Sequence, residues 1–402
     1  MKRLLSYRLR RAAALFMFAL ILAAAASCAA SKDTSSATIN VYNWGQYISD
    51  GSDGYIDVNA AFTEATGINV NYMTYESNET LYTKLKTGGS SYDVIIPSDY
   101  MIARLIGEGM LAELNFDNIP NYQYVDEQYK NTAFDPENRY SVPYTWGSVG
   151  IIYNTKYVKD VTGWEALWNE DYAGKILMFD NPRDAFGIAE FMLGLDINTE
   201  DPASLKAAAD LLVAQKPLVQ SYVMDQIFAK MQREEAWIAP YYAGDYLLMV
   251  QENEALAFCF PEEGFNLFID AMCIPANSEN KEAAEAYINF LCSPEISGQN
   301  LDYLGYSTPV SAAKEYMSEE LTQNEVAYPS EETLERGKIF LTLSTESTQL
   351  MDSLWLEVKT TDSSGIYLLW GGIVIVVIAA ALVLIMIMRR KKLAKRRAGY
   401  KT

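Results

Sequence analysis

Hydrophobic and polar positions near the N-terminus follow two different periods, which predict strands and helices in regular succession. Short apolar or alternating runs have the period of a β-strand, and between them lie segments with apolar positions every three or four residues. Because each predicted strand is followed by a helix, this region predicts a βαβαβα unit with a parallel sheet. The strands are Ile39–Tyr42, Ile68–Thr74 and Val94–Ile96, and the helices are Val58–Thr66, Thr80–Thr87 and Tyr100–Gly109.

A second α/β pattern runs from Gly147 to about Phe268. After it, Asn280–Leu291 has the pattern of an amphipathic helix, and Ser293 and Pro294 indicate its end. The body of the chain is long enough for two domains of ordinary size, so we expect a two-domain α/β fold. Open α/β sheets bind ligands at the carboxyl ends of their strands. The helical segments of the second region are Arg183–Leu193, Pro202–Leu212 and Val223–Arg233.

The N-terminal segment has the layout of a secretion signal. Five Lys or Arg precede the apolar run Ala12–Ala26, and Cys28 follows small residues as it does in a bacterial lipoprotein signal. We therefore expect residues 1–28 to be a signal and Cys28 to be acylated, with an ordinary cleaved signal or an uncleaved anchor as alternatives. Residues 29–37 are small and polar, which predicts a tether.

The C-terminal segment 366–388 contains 23 residues without a charge. A helix of that length crosses a hydrocarbon layer of about 30 Å. Residues 389–402 contain eight Lys or Arg, and the positive-inside rule places such a tail in the cytoplasm. The sequence thus predicts one transmembrane helix that anchors an exported body to the outer face of the cytoplasmic membrane.

The body between these segments is strongly acidic and lacks histidine. Only 19 of the 32 Lys and Arg lie in it, against 52 Asp and Glu. Such a body repels nucleic acid and attracts cations, although surplus carboxylates also serve solubility. The lack of histidine excludes a His-based triad and a His-ligated zinc site, and we expect no metal and no cofactor. Cys259, Cys273 and Cys292 are an odd number of cysteines, which predicts free buried thiols.

Aromatic and hydroxyl side chains follow two of the predicted strands where each strand ends. Trp44 and Tyr47 come after the first strand, and Ser98 and Tyr100 come after the third. Because the carboxyl ends of parallel strands lie at one edge of a sheet, we expect these side chains to converge. Packing in the core or within the loops is the alternative interpretation of Trp44 and Tyr47.

Seven runs of sequence stand in a specific order and spacing between about Ile39 and Lys359. They are YNWGQYI (Tyr42–Ile48), TYESNETLYTKLK (Thr74–Lys86), YDVIIPSDY (Tyr92–Tyr100), SVPYTWG (Ser141–Gly147), IDAMCIPAN (Ile269–Asn277), INFLCSPE (Ile288–Glu295) and GYSTP (Gly305–Pro309). Together these runs resemble the spermidine/putrescine-binding proteins of bacterial ABC importers.

The resemblance implies a two-lobed type II periplasmic-binding-protein fold that closes by a hinge. Its ligand would be putrescine or spermidine, which it would deliver as a monomer to a membrane permease and an ATPase. Lobe 1 is expected to comprise residues 38–146 and 269–305, and lobe 2 residues 147–268 and 306–360. The residues that the resemblance assigns to ligand binding are Trp44, Tyr47, Ser98, Tyr100, Asp184, Tyr242, Asp245, Phe268, Asp270 and Tyr306.

The chemistry of a polyamine fits these residue types. Its ammonium groups are joined by methylene chains, so its site needs carboxylates at a fixed separation and apolar walls between them. Aromatic rings supply cation–π attraction of about 0.5 to 2 kcal/mol each, and carboxylates accept charge-assisted hydrogen bonds. Asp270 lies in an apolar run where an unpaired carboxylate is costly, which makes it the strongest candidate. Asp184 has the alternative interpretation of a helix cap.

Several positions depart from the pattern of the spermidine-preferring members of that family. Those members tend to carry an acidic residue at Asn181, Thr or Ser at Gly45, Trp at Tyr242 and Phe268, and Gln at Phe340. The run YAGD (Tyr242–Asp245) instead resembles members that prefer putrescine. These departures leave the choice of polyamine open within the cationic class.

Two other functions are weighed against binding for import. A sensor would present a polyamine to a signalling partner, but only 14 residues, 389–402, follow the predicted span. A hydrolase could use paired carboxylates such as Asp184 and Asp270 without any histidine. Because aromatic rings around a whole cation favour binding over catalysis, we expect a binding protein and not an enzyme.

Overall fold

The structure is a computed structural model that describes residues 37–88 and 91–361. Its strands are β1 (Thr38–Trp44), β2 (Asn69–Tyr75), β3 (Val94–Ile95), β4 (Ser141–Asn154), β5 (Ile176–Phe179), β6 (Val219–Val223), β7 (Ile238–Tyr242), β8 (Leu256–Cys259), β9 (Phe265–Cys273) and β10 (Gly337–Ile339). Its α-helices are α1 (Val58–Thr66), α2 (Asn78–Thr87), α3 (Asp99–Gly107), α4 (Pro182–Met192), α5 (Pro202–Gln215), α6 (Gln226–Gln232), α7 (Ala243–Glu252), α8 (Lys281–Leu291), α9 (Pro294–Leu304), α10 (Glu319–Thr322), α11 (Glu331–Leu334) and α12 (Thr345–Thr360).

The N-terminal region forms the predicted βαβαβα unit. β1 pairs in parallel with β2 and with β3. Side-chain oxygens of Asp57 and Ser77 accept hydrogen bonds from backbone N–H groups in the first turns of α1 and α2. Both helices end at a glycine in the left-handed conformation, Gly67 and Gly88. These caps and stops are local signals, which is why the sequence located both helices well.

One long strand, β4, connects two halves of the sheet. Its residues 141–148 pair with β9, and its residues 149–154 pair with β7 and β8, all antiparallel. The strand order is β2-β1-β3-β9-β4-β7-β5-β6, with β10 beside β9 and β8 beside β4. The boundaries that were predicted between the two lobes fall inside β4 and β9 and stay a prediction.

The core lies on both faces of this sheet. All four side chains of β5 are fully buried, as expected for a parallel strand that is covered on both faces. Helix α4 is buried along most of its length, so its first turn is held rigidly. The free thiols of Cys273 and Cys292 are buried as predicted, whereas Cys259 is only partly buried because β8 lies beside β4 alone in the described sheet.

One predicted helix boundary was wrong, and one helix was not predicted. Residues 219–223 form β6, which pairs with β5, and the helix after it begins only at Gln226. The valines at both ends of β6 favour a strand, and pairing with β5 decides the outcome. Ser293 and Pro294 end α8 but also begin α9, because Ser293 caps the backbone N–H of Ile296 and proline suits a first helical turn.

The predicted fold class needs a correction, because it included a C-terminal transmembrane helix. Among the helices of residues 37–88 and 91–361, none is long and apolar enough to cross a membrane. The last of them, α12, buries Met351, Leu354 and Val358 but carries polar and charged residues on its other faces. The fold class is therefore corrected to the α/β fold alone. The predicted signal with Cys28, nearly all of the tether, the segment 366–388 and the tail lie outside the described residues.

Candidate functional site

A cavity with about 610 Å³ of empty space lies between the two halves of the sheet. Strands β1 and β7 end at it, β9 passes along it, and α3, α4 and α7 begin there. All ten side chains that were predicted to bind a ligand line this cavity, and their contact with a ligand stays a prediction. They are Trp44, Tyr47, Ser98, Tyr100, Asp184, Tyr242, Asp245, Phe268, Asp270 and Tyr306.

Three helices begin at the cavity, and each carries a carboxylate in its first turn. These carboxylates are Asp99 in α3, Asp184 in α4 and Asp245 in α7. The positive end of a helix dipole stabilises negative charge, so the backbone partly offsets the cost of collecting carboxylates here. The fold therefore positions these groups on rigid elements.

Asp270 has an oxygen that is buried without a partner. It lies on β9 and is 3% exposed, and the Tyr47 hydroxyl donates a 2.6 Å hydrogen bond to its Oδ2. Its Oδ1 has no hydrogen-bond partner among the described residues. Burial raises the pKa of Asp270 to about 6, while the hydrogen bond from Tyr47 opposes that rise. An unpaired carboxylate oxygen is costly, so a donor that enters the cavity would gain a strong bond.

Asp184 is held by two neutral donors. The Tyr242 hydroxyl lies 3.0 Å from Asp184 Oδ2, and Asn181 Nδ2 lies 2.6 Å from the same oxygen. The Asn181 side-chain oxygen caps α4 by accepting from the backbone N–H groups of Arg183 and Asp184. The interpretation of Asp184 as the helix cap is therefore wrong, and its carboxylate lines the cavity instead. Burial raises its pKa to about 7.

Asp245 is 8% exposed, and its pKa is raised to about 8 by burial and then by the charge of Asp225. Asp225 and Glu76 line the same cavity. Among the described residues, no Lys or Arg forms an ion pair with any carboxylate of the cavity. The buried Arg183 instead donates to backbone oxygens and to Asn198. The cavity is thus acidic, and no Lys or Arg of the part of the chain that the structure describes lines it.

Aromatic rings form continuous walls between these carboxylates. The ring centroids of Tyr47 and Tyr306 are 5.1 Å apart, those of Tyr306 and Phe268 are 6.5 Å apart, and those of Phe268 and Tyr242 are 5.5 Å apart. Aromatic faces attract cations and their edges pack against methylene groups. The arrangement suits an elongated ligand with positive ends and an apolar middle.

Three further departures from the spermidine-preferring pattern, besides Tyr242 and Phe268, also line the cavity: Gly45, Asn181 and Phe340. Phe340 stands edge-on to Tyr100 at 6.1 Å, and the Arg183 guanidinium lies 4.2 Å from its ring centroid. An apolar ring therefore closes the cavity at this point.

Sequence reasoning missed several residues that line the cavity. They are Glu76, Asn78, Asp99, Met224, Asp225, Tyr241 and Asn266. The position of Asp99 next to Ser98 could have indicated it as a candidate. Its carboxylate accepts hydrogen bonds from the backbone N–H groups of Tyr100 and Ile269. Asp225 follows β6. Prediction of that strand would have made Asp225 a candidate, because open α/β sheets bind ligands at the carboxyl ends of their strands.

Comparisons with known proteins agree on one family. The profile described as bacterial extracellular solute-binding protein matches residues 90–335. A spermidine/putrescine-binding periplasmic protein of Escherichia coli is 36% identical over 304 residues, which are 75% of this chain and 86% of the relative. A putrescine-binding periplasmic protein of Pseudomonas aeruginosa is 31% identical over 342 residues, which are 80% of this chain and 92% of the relative.

Solved structures show the same fold. A putative spermidine/putrescine ABC transporter from Listeria monocytogenes has a TM-score of 0.77 and 34% identity, over 81% of this chain and 99% of that structure. A spermidine/putrescine substrate-binding protein from Streptococcus pneumoniae has a TM-score of 0.68 and 36% identity, with the same coverage. These matches confirm the two-lobed α/β periplasmic-binding fold and the resemblance found in the sequence. The chain belongs to the bacterial extracellular solute-binding proteins, a family in which its relatives are spermidine/putrescine-binding periplasmic proteins.

Proposed function

We propose that this protein binds a polyamine outside the cytoplasm and delivers it to an ABC importer formed by a separate permease and ATPase. The observation that carries the proposal is the Oδ1 oxygen of Asp270, which is buried in the cavity without a hydrogen-bond partner among the described residues. An ammonium group is a donor of matching charge. Its bond to a carboxylate is about twice as strong as a bond between neutral groups.

The other carboxylates and the rings support the same ligand class. Asp184 and Asp245 line the cavity with Asp270 and have no ion pair among the described residues. A second ammonium group would therefore meet a second carboxylate. The rings between the carboxylates would cover the methylene groups that join the two charges. These carboxylates repel an anionic ligand, and a neutral donor would give them a weaker bond than an ammonium group does.

The family supports binding and transport rather than catalysis. Membership of a solute-binding family confirms the expectation that the chain is not an enzyme. The named relatives include proteins of ABC transporters and proteins of the periplasm, so we assign this chain to import and to the exported proteins. The ten predicted residues are the proposed ligand contacts. Acylation at Cys28 stays a prediction.

Titration calorimetry of the full-length chain tests the proposal. We expect putrescine, cadaverine, spermidine or spermine to bind with a micromolar or lower Kd. The affinity should weaken only modestly with salt, because the decisive pairs are enclosed. Glutamate and glucose are the control ligands and should give no heat. The proposal is wrong if all four polyamines give neither heat nor a shift in Tm while an anion or a sugar binds.

A further inference from the structure

Two carboxylates in the cavity, Asp225 and Glu76, have no role in the proposed binding of a diamine. Both line the cavity. The charge of Glu76 acts on Asp225, and the charge of Asp225 acts on Asp245. The charges that act on Asp184 are instead those of Glu79, Arg183 and Asp270. Asp225 and Glu76 therefore extend the row of carboxylates beyond Asp245.

Gly45 makes room for the carboxylate of Asp225. A Cβ atom on Gly45 would overlap with Oδ2 of Asp225. The φ angle of Gly45 lies outside the left-handed region, so its backbone does not require glycine. Gly45 follows β1 and Asp225 follows β6, in different halves of the sheet. The missing side chain therefore lets a carboxylate from one half lie directly against the backbone of the other half.

The carboxylate of Asp225 has no evident structural task. Asp225 stands at the start of α6, but its side chain makes no capping hydrogen bond. It forms no ion pair with a Lys or Arg among the described residues. Its pKa is raised by burial and then by Glu76. Two acids that face each other repel, and a bound cation would offset that repulsion.

The remaining groups indicate which cation. No set of three or more Asp, Glu or Cys side chains in the described part of the chain is arranged to hold a metal ion. The buried and unpartnered Oδ1 of Asp270 opens onto the same cavity and points to a ligand that donates hydrogen bonds. Asp184 and Asp270 suffice for two ammonium groups, with Tyr242 and Phe268 between them. Asp225, together with the neighbouring Asp245, is then available for another ammonium group of the same ligand.

We propose that Asp225 is a specificity-determining residue that binds the third ammonium group of a polyamine. The missing side chain of Gly45 leaves room for the carboxylate of Asp225, and the negative charge of Glu76 adds to the attraction for a cation. This inference rests on the proposed function and narrows it to triamines and longer polyamines. A triamine would add one charge-assisted hydrogen bond, to the carboxylate of Asp225.

The test compares Asp225→Asn with the unchanged full-length chain by calorimetry with putrescine and spermidine. The amide keeps the volume of the side chain and removes its charge. We expect the Kd for spermidine to rise about tenfold, which is about 1.4 kcal/mol. The Kd for putrescine should change less than about threefold. Asp171→Asn, at an exposed surface position, is the control for net charge and should change neither Kd.

Gly45→Ala gives an independent test, since its new methyl group must displace the Asp225 carboxylate. It should weaken spermidine binding selectively as Asp225→Asn does, with Tm as the check on folding. Equal losses for both ligands, or no loss for either in both variants, would overturn the inference and leave polyamine binding standing. Failure of the unchanged chain to bind any polyamine would instead overturn the proposed function, and the inference with it.

Discussion

Asp184 and Asp245 lie in the same cavity, yet their surroundings differ. Asp184 accepts hydrogen bonds from Tyr242 and Asn181 and has a pKa of about 7. Asp245 faces a second carboxylate, Asp225, and has a pKa of about 8. Burial is the main cause of both shifts. After burial, the largest influence on the pKa of Asp184 is the hydrogen bond from Tyr242, whereas the largest influence on the pKa of Asp245 is the like charge of Asp225.

The difference separates two ways of preparing an acidic cavity. Neutral donors fix the position of Asp184 and support its charge before any ligand arrives. Paired acids at Asp245 and Asp225 repel each other, and uptake of a proton or binding of a cation relieves that repulsion, because like charges at short range disfavour ionisation. The end of the cavity at Asp184 is therefore suited to orienting a ligand. The affinity of the end at Asp245 depends on how much positive charge the ligand carries.

The largest expected loss of affinity comes from substitution of Asp270. Asp270→Asn leaves a buried ammonium group without its charge partner, which usually costs about 3 to 5 kcal/mol. That energy corresponds to a loss of affinity of at least about a hundredfold for every polyamine. Calorimetry with putrescine and spermidine measures it, and the surface variant Asp171→Asn is the control. A change in Kd below about fivefold, with Tm unaltered, would show that Asp270 does not pair with the ligand.

A smaller change in affinity should accompany a change in pH. The pKa values of Asp270, Asp184 and Asp245 are about 6, 7 and 8. A bound ammonium group favours the ionised form, so binding should release about one proton or more at pH 7. Amines stay protonated below about pH 9. Affinity should therefore rise about tenfold or more between pH 5.5 and 8. Calorimetry in buffers of different ionisation enthalpy counts the protons, and zero release with a flat pH profile would contradict the account.

The same groups should lower the stability of the ligand-free protein as pH rises. Their folded pKa values lie above the unfolded value of about 3.9, so the folded state binds more protons between these limits. The free energy of unfolding that they contribute is highest below about pH 4 and is lost as pH rises through about 8. A polyamine should restore most of the lost Tm at pH 8 and less of it at pH 5.

The smallest effect concerns Asn181 at the Asp184 end. Asn181→Asp keeps an oxygen that can cap α4 but loses the donor to Asp184 and adds a second carboxylate beside it. The Asp184 end would then resemble the Asp245 end. We expect a shift of a few fold toward spermidine relative to putrescine, and a lower Tm without ligand. If the ratio of the Kd for putrescine to the Kd for spermidine stays the same while Tm falls, the neutral donor at Asp184 does not contribute to the choice between the two ligands.

Local signals explain which parts of the fold the sequence could predict. Helix α1 was predicted with its observed bounds because Asp57 begins it and Gly67 ends it. Strand β6 was missed, and only its last residue, Val223, was assigned to a helix, because the pairing with β5 that decides its conformation is not local. The long antiparallel contact between β4 and β9 joins segments far apart in sequence, and no periodicity in either segment indicates it.

Some residues of the candidate site could likewise be predicted from the sequence, and others could not. Trp44, Tyr47, Ser98 and Tyr100 follow predicted strands, so their convergence could be expected from topology. The remaining predicted contacts came from the family resemblance and not from spacing. Glu76 and Asp225 were missed because they meet only where the two halves of the sheet approach each other. The closeness of Gly45 to Asp225 has no signal in a single sequence.

A crystal structure of the full-length chain with spermidine tests the central claim most directly. The account predicts that one ammonium nitrogen lies about 2.7–3.2 Å from Asp270 Oδ1. A second nitrogen should contact Asp184, and the aromatic rings should cover the methylene groups between them. Spermidine bound outside the cavity, or inside it with Asp270 Oδ1 still without a donor, would contradict the claim that unpaired buried carboxylates bind the ligand.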